Sequence, residues 1–96
     1  MNALTLISKN ERPIRPIVEA ALANELRLLE SGILKTEEKL RAFEAKYKYS
    51  TQEFLEKYES DQLEETLDFD EWVGEYRMFT RLTEKAEALR GTSFVS

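Results

Sequence analysis

The side chains available for chemistry in this chain are chiefly carboxylates. Its 96 residues carry 19 Asp plus Glu against 14 Lys plus Arg, a formal net charge of −5, with no His and no Cys. Carboxylates can work as general acids and bases, with Lys or Tyr as helpers. They can also hold a hard metal ion, and Asp61, Asp68 and Asp70 are the candidate oxygen donors. These three lack the Asp-x-Asp-x-Asp-Gly spacing and the glycine of a calcium loop. No pattern separates one working carboxylate from the other acids. The absence of His and Cys excludes a disulfide framework, a Cys/His zinc site, a Cys nucleophile, a Ser-His-Asp triad and a CxxC redox pair. With only 3 Gly, a phosphate cradle is not expected, and neither GxGxxG nor GxxxxGK[ST] occurs. The expectation is a non-enzymatic protein that needs no cofactor and no metal.

The third use of a carboxylate is recognition, and here placement is informative. Residues 50–71 carry Lys57 alone against nine acids (Glu53, Glu56, Glu59, Asp61, Glu64, Glu65, Asp68, Asp70 and Glu71), a net −8. Residues 1–12, 13–49 and 72–96 are each net +1. Phe54, Leu55, Leu63, Leu67, Phe69 and Trp72 are interleaved with the acids. An acidic patch with apolar anchors can steer and hold a basic partner. The plainer reading is a solvated helix face with acids at helix N-termini, where they suit the macrodipole. On the docking reading, the candidate partner-binding residues are Phe54, Tyr58, Glu64, Glu65, Asp68, Asp70 and Trp72. The acidic balance argues against a general nucleic-acid binder. Arg77, Arg81 and Lys85 form a basic stripe suited to an anion or to acids of another chain, unless it is simply solvated.

The elements that must carry these residues are helical. Arg12-Pro13-Ile14-Arg15-Pro16 places a helix start near Pro13 or Pro16, with a PxxP-type ligand as the weaker alternative. From there to about Tyr49, Leu22, Leu26, Leu29, Ile33, Thr36, Leu40, Phe43 and Tyr47 follow 4-3-4-3-4-3-4 spacing, a heptad seam with one polar member. Gly32 lies beside the seam as a kink, a break or a tolerated defect. Ser50-Thr51-Gln52-Glu53 is a capping box opening a short helix over about 51–60. Asp68, with Glu71 three residues on, is the expected cap of a last helix over about 69–90. Its stripe is Phe69, Trp72, Val73, Tyr76, Phe79, Leu82, Ala86 and Leu89, and Gly91 is its expected stop.

The expected fold is all-α. A long, a short and a long helix form an antiparallel hairpin or coiled-coil bundle, completed by dimerisation. One domain spans 13–91, with an N-terminal arm at 1–12 (a tail or short strand) and a frayed end at 92–96. The oligomer or core seam comprises Leu22, Leu26, Leu29, Ile33, Leu40, Phe43, Tyr47, Tyr76 and Phe79. The heptad reads alike within one chain and between two. No apolar run approaches the roughly 20 residues that span a bilayer, and a signal-peptide core is missing. A cytoplasmic protein with no membrane contact is expected.

The stretches Leu40–Tyr47 and Ser50–Tyr58, then Leu67-Asp68-Phe69-Asp70-Glu71-Trp72 and Tyr76, resemble a group of small helical proteins of bacteria and archaea. Their pattern is roughly FEKKYGMSSEEFYEKFE…GELGDDxDFxEW…Y. The resemblance covers about residues 17–90. Many of those proteins look like antitoxin halves of toxin–antitoxin pairs beside a TumE-type toxin. It implies a protein that binds and neutralises a basic partner such as a cognate toxin. The usual glycine after the tyrosine is Lys48 here, and the Gly-Glu-Leu of the acidic turn is Asp61-Gln62-Leu63. Two alternatives stay open. One is a self-assembling helical scaffold or adaptor. The other is a ribbon-helix-helix regulator that meets DNA through residues 1–15, with helices broken at Gly32.

Overall fold

The computed structural model describes residues 3–4, 14–91 and 93–94. Three helices dominate: α1 (Arg15–Tyr47), α2 (Thr51–Glu59) and α3 (Leu67–Arg90). α1 packs against α3, and α2 lies at the joint between them, so the chain is an all-α helical hairpin. Its extents are 61 × 21 × 17 Å. At about 1.5 Å per residue, the 33 residues of α1 span about 50 Å and the 24 of α3 about 36 Å. The ion pair Arg90–Glu30 (2.8 Å) marks where α3 ends along α1, leaving 15–29 to extend past it.

Where α1 runs beside α3, the seam faces α3 within the chain. Leu29, Thr36 and Leu40 are buried, while Leu22, Leu26, Ile33, Phe43 and Tyr47 are half-buried. Thr36, the polar member, donates its hydroxyl to the Ile33 carbonyl at 2.8 Å, which satisfies it inside its own helix. Gly32 does not break α1, which runs unbroken from Arg15 to Tyr47. A Cβ there would sit 3.0 Å from Leu82 Cδ1. The glycine therefore lets the Leu82 side chain of α3 approach closely, at a helix-propensity cost of about 1 kcal/mol.

The caps differ in part from expectation. Pro16 falls in the first turn of α1, as a helix-starting proline should. Ser50 caps α2, its hydroxyl accepting from the Glu53 N–H at 3.1 Å. The cap of α3 is Thr66, not Asp68: its hydroxyl accepts from the Phe69 N–H at 3.1 Å. Asp68 lies in the first turn of α3, its carboxylate taken by long-range partners. Gly91 ends α3 with φ −83°, so its left-handed freedom goes unused. Among the described residues the left-handed ones are Lys48 (φ 62°) and Asp61 (φ 55°).

Ala3–Leu4 (β1) pairs in parallel with Ser93–Phe94 (β2). This pairing is not the two-chain ribbon of the DNA-binding alternative, and the unbroken α1 removes that alternative's helix break. The remaining expectations for residues 1–13 and 92–96 lie outside the described residues. No helix among the described residues is long and apolar enough to cross a membrane.

Candidate partner-binding site

The acidic segment is built on an aromatic hub. Phe54 of α2 and Trp72 of α3 stack face to face, ring centroids 3.9 Å apart and planes 1° from parallel, both with no exposed surface. Phe43 of α1 stacks on Trp72 at 5.4 Å. Phe69 closes the group, 5.3 Å from Phe54 and 5.0 Å from Tyr47. Each helix supplies its aromatics at i, i+3 or i+4 spacing, so one face of each turns inward. Leu40, Phe54, Phe69, Trp72 and Val73 form the buried cluster, with Tyr76 and Phe79 packed against it.

This arrangement takes Phe54 and Trp72 out of the expected docking surface. Their side chains are enclosed, and the acids beside them in sequence point the other way. Burial also satisfies the indole. Trp72 Nε1 donates to Thr51 Oγ1 at 3.1 Å, and Thr51 Oγ1 donates to Glu44 Oε2 at 2.9 Å. The Thr51 backbone N–H reaches the same oxygen at 2.7 Å. Glu44 thus ties α1 to α2, and through Thr51 to Trp72 of α3. This relay was not legible in sequence, because Glu44, Thr51 and Trp72 share no local pattern.

Asp68 and Asp70 are also structural on one side. Asp68 accepts from the Tyr47 hydroxyl and from Lys46 Nζ (2.6 Å). Those bonds hold its carboxyl below the ordinary range, the Lys46 bond contributing most. The bond to Asp68 raises Lys46 and is the main cause raising Tyr47. Tyr58, half-buried, donates to Asp70 at 2.9 Å, and its phenol is raised mainly by that bond. The two tyrosine–aspartate bonds tie the first turn of α3 to α1 and α2.

The rest of the acidic segment faces solvent. Glu53, Glu56, Glu59, Asp61, Glu64, Glu65, Asp70 and Glu71 are exposed. Of the nine acids, Asp68 alone makes an ion pair among the described residues. Glu53, Glu56, Lys57, Ser60 and Gln62 line an open polar hollow of about 320 Å³. No group of three or more acids is close enough to hold a metal ion among the described residues, so Asp61, Asp68 and Asp70 do not converge. A second groove, of about 190 Å³, runs over Leu40, Tyr76 and Phe79 with Glu37, Arg41, Glu44 and Thr51 around it. That is smaller than the roughly 300–1,000 Å³ of ordinary small-molecule pockets and closer to the volume of one side chain.

Of the residues expected to meet a partner, Tyr58, Glu64, Glu65 and Asp70 thus reach the surface. Phe54 and Trp72 form the core beneath it, and Asp68 is latched between helices. No family model, curated protein or solved structure matches the chain.

Proposed function

We propose that this chain is an antitoxin-like interaction protein that binds and neutralises a basic partner protein through the acidic joint between its long helices. The observation that carries this reading is eight exposed carboxylates without ion-pair partners among the described residues, held on an aromatic pedestal at one end of the rod. Acids not engaged inside the fold are available to complement positive charge, and a preorganised surface loses less entropy on binding. The contact surface is Glu53, Glu56, Glu59, Glu64 and Glu65 with Tyr58, revised from the sequence-based set by the burial of Phe54 and Trp72. Left-handed backbone at Lys48 and Asp61 adds support to the resemblance, since glycine suits those sites in the similar proteins. A TumE-type toxin is the partner class the resemblance suggests.

Co-expression with the product of the adjacent gene tests this. A complex that weakens with salt, and relief of any growth arrest the neighbour causes, are expected. Glu64→Lys with Glu65→Lys should weaken the complex while leaving the thermal melt nearly unchanged. Absence of both complex and relief would end the proposal. The scaffold alternative has its own support in the portion of α1 that extends beyond α3, where Ile17 and Leu28 are 62% and 58% exposed.

A further inference from the structure

The seam first suggested for dimerisation is occupied within the chain by α3 over Leu29–Tyr47, so a second copy needs another face. The outer face of α3 has the features of one. Leu67, Glu71, Gly74, Met78, Arg81 and Lys85 follow 4-3-4-3-4 spacing, which aligns them along one side of the helix. Leu67 is 87% and Met78 41% exposed. A Cβ at Gly74 would meet nothing within 4 Å, so that stretch of backbone is open to close approach. Glu71, Arg77, Arg81 and Lys85 are exposed and make no ion pair among the described residues.

The order of charge along this face selects its partner. Acids come first (Asp70, Glu71), Arg77 and the apolar Met78 sit midway, and Arg81 and Lys85 follow. Laid antiparallel on itself about Met78, the face brings Asp70 and Glu71 of one copy opposite Lys85 of the other, and Gly74 opposite Arg81. Each contact occurs twice, as an isologous twofold interface requires. We infer that the chain forms a homodimer through the outer face of α3, antiparallel about Met78, with Glu71–Lys85 ion pairs on both sides of the axis. Ile17 and Leu28 on α1 are also exposed, but the charges near them show no order that selects a partner. The inference does not rest on the toxin-binding reading. Glu53, Glu56, Glu59 and Glu64 stand outside this face, and a failed dimer leaves the co-expression result unaffected.

Sedimentation of the full chain at low and moderate salt tests it, with circular dichroism to verify folding. A dimer that weakens with salt is expected. Glu71→Lys and Lys85→Glu should each weaken it about tenfold or more, because like charges then face each other. The double variant Glu71→Lys with Lys85→Glu should restore it, because both pairs are merely exchanged. A monomer at the highest soluble concentration in low salt would overturn the inference. So would a dimer equally stable in all three variants, or one lost with Leu28→Asp and kept with Lys85→Glu.

Discussion

The two ends of the hairpin are held together by different physics. At the joint, three helices converge on a stack of aromatic rings, and polar contacts around it form networks. Trp72, Thr51 and Glu44 are one such network, and Tyr47, Lys46 and Asp68 are another. At the far end, α3 meets α1 through aliphatic contacts, with Leu29 and Ala86 buried and Gly32 against Leu82, and an exposed pair, Arg90–Glu30. The difference places the buried aromatic cluster under the most charged surface of the molecule. Self-repulsion among eight exposed acids costs stability, and the aromatic hub offsets it at the same end.

Removing the hub should produce the largest effect. Trp72→Ala empties the middle of the Phe54–Trp72–Phe43 stack and leaves Thr51 without its donor. Such truncations cost about 3–5 kcal/mol, a large share of the 5–15 kcal/mol total of a small domain. Denaturant titration should show a major loss of folded population. At the far end, Gly32→Val should cost about 1–3 kcal/mol by overpacking against Leu82. A cost at Gly32 equal to that at Trp72 would erase the contrast between the ends. Thr51→Val lies in the same range, about 1–3 kcal/mol, because it strands the buried indole N–H with its shape nearly kept.

The Asp68 latch gives the joint a pH signature. Its carboxyl is depressed in the folded state, so its contribution is present above the ordinary carboxylate pKa of about 4 and lost as pH falls through the lower folded value. Tyr47 and Lys46 are raised, so their contribution is present below about pH 10 and lost as pH rises through the folded values. Asp68→Asn should therefore melt below the native chain at neutral pH. The gap should narrow as acid protonates Asp68 in the native chain. A gap that is constant down to pH 2 would mean the carboxylate charge is not what the latch uses.

How far these features could be read in advance depends on their range. The seam from Leu22 to Tyr47 and the Ser50 cap are periodic or local, and both were legible. Thr66 and Asp68 each carry cap chemistry within three residues, and what separates them is a tertiary fact: Lys46 and Tyr47, more than twenty residues earlier, claim the Asp68 carboxylate. The acidic and aromatic interleaving of 50–72 was visible but ambiguous. A helix that buries one face and solvates the other produces the same string as a docking patch, and the packing of α2 on α3 decides that Phe54 and Trp72 face inward. Gly32 had no local signal at all, because its reason is the passage of Leu82.

Backbone geometry at the joint permits a smaller test with the opposite sign. Lys48 and Asp61 hold left-handed conformations that cost a Cβ-bearing residue about 1 kcal/mol or more relative to glycine. Lys48→Gly should therefore raise stability by up to about 1 kcal/mol, less the added freedom of the unfolded chain. Asp61→Gly should gain less, since Asp tolerates this region better than Lys. A loss at Lys48, measured by thermal melt, would mean its side chain does more than end α1.

The smallest effect should come from the far-end ion pair, and it isolates what the network adds. Arg90–Glu30 and Lys46–Asp68 are similar contacts by distance, 2.8 and 2.6 Å. Arg90–Glu30 is about half-exposed on both sides, with side-chain exposures of 49% and 51%, and no third group fixes it. Exposed pairs of this kind contribute about 0.2–1 kcal/mol and weaken with salt. Arg90→Ala should therefore shift the melt by about 0.5 kcal/mol or less, and moderate salt should erase the shift. Asp68, less exposed and also bonded by Tyr47, should keep part of its effect in the same salt. If the two variants respond to salt alike, the tyrosine adds nothing to the latch, and the two ends differ only in their aromatic packing.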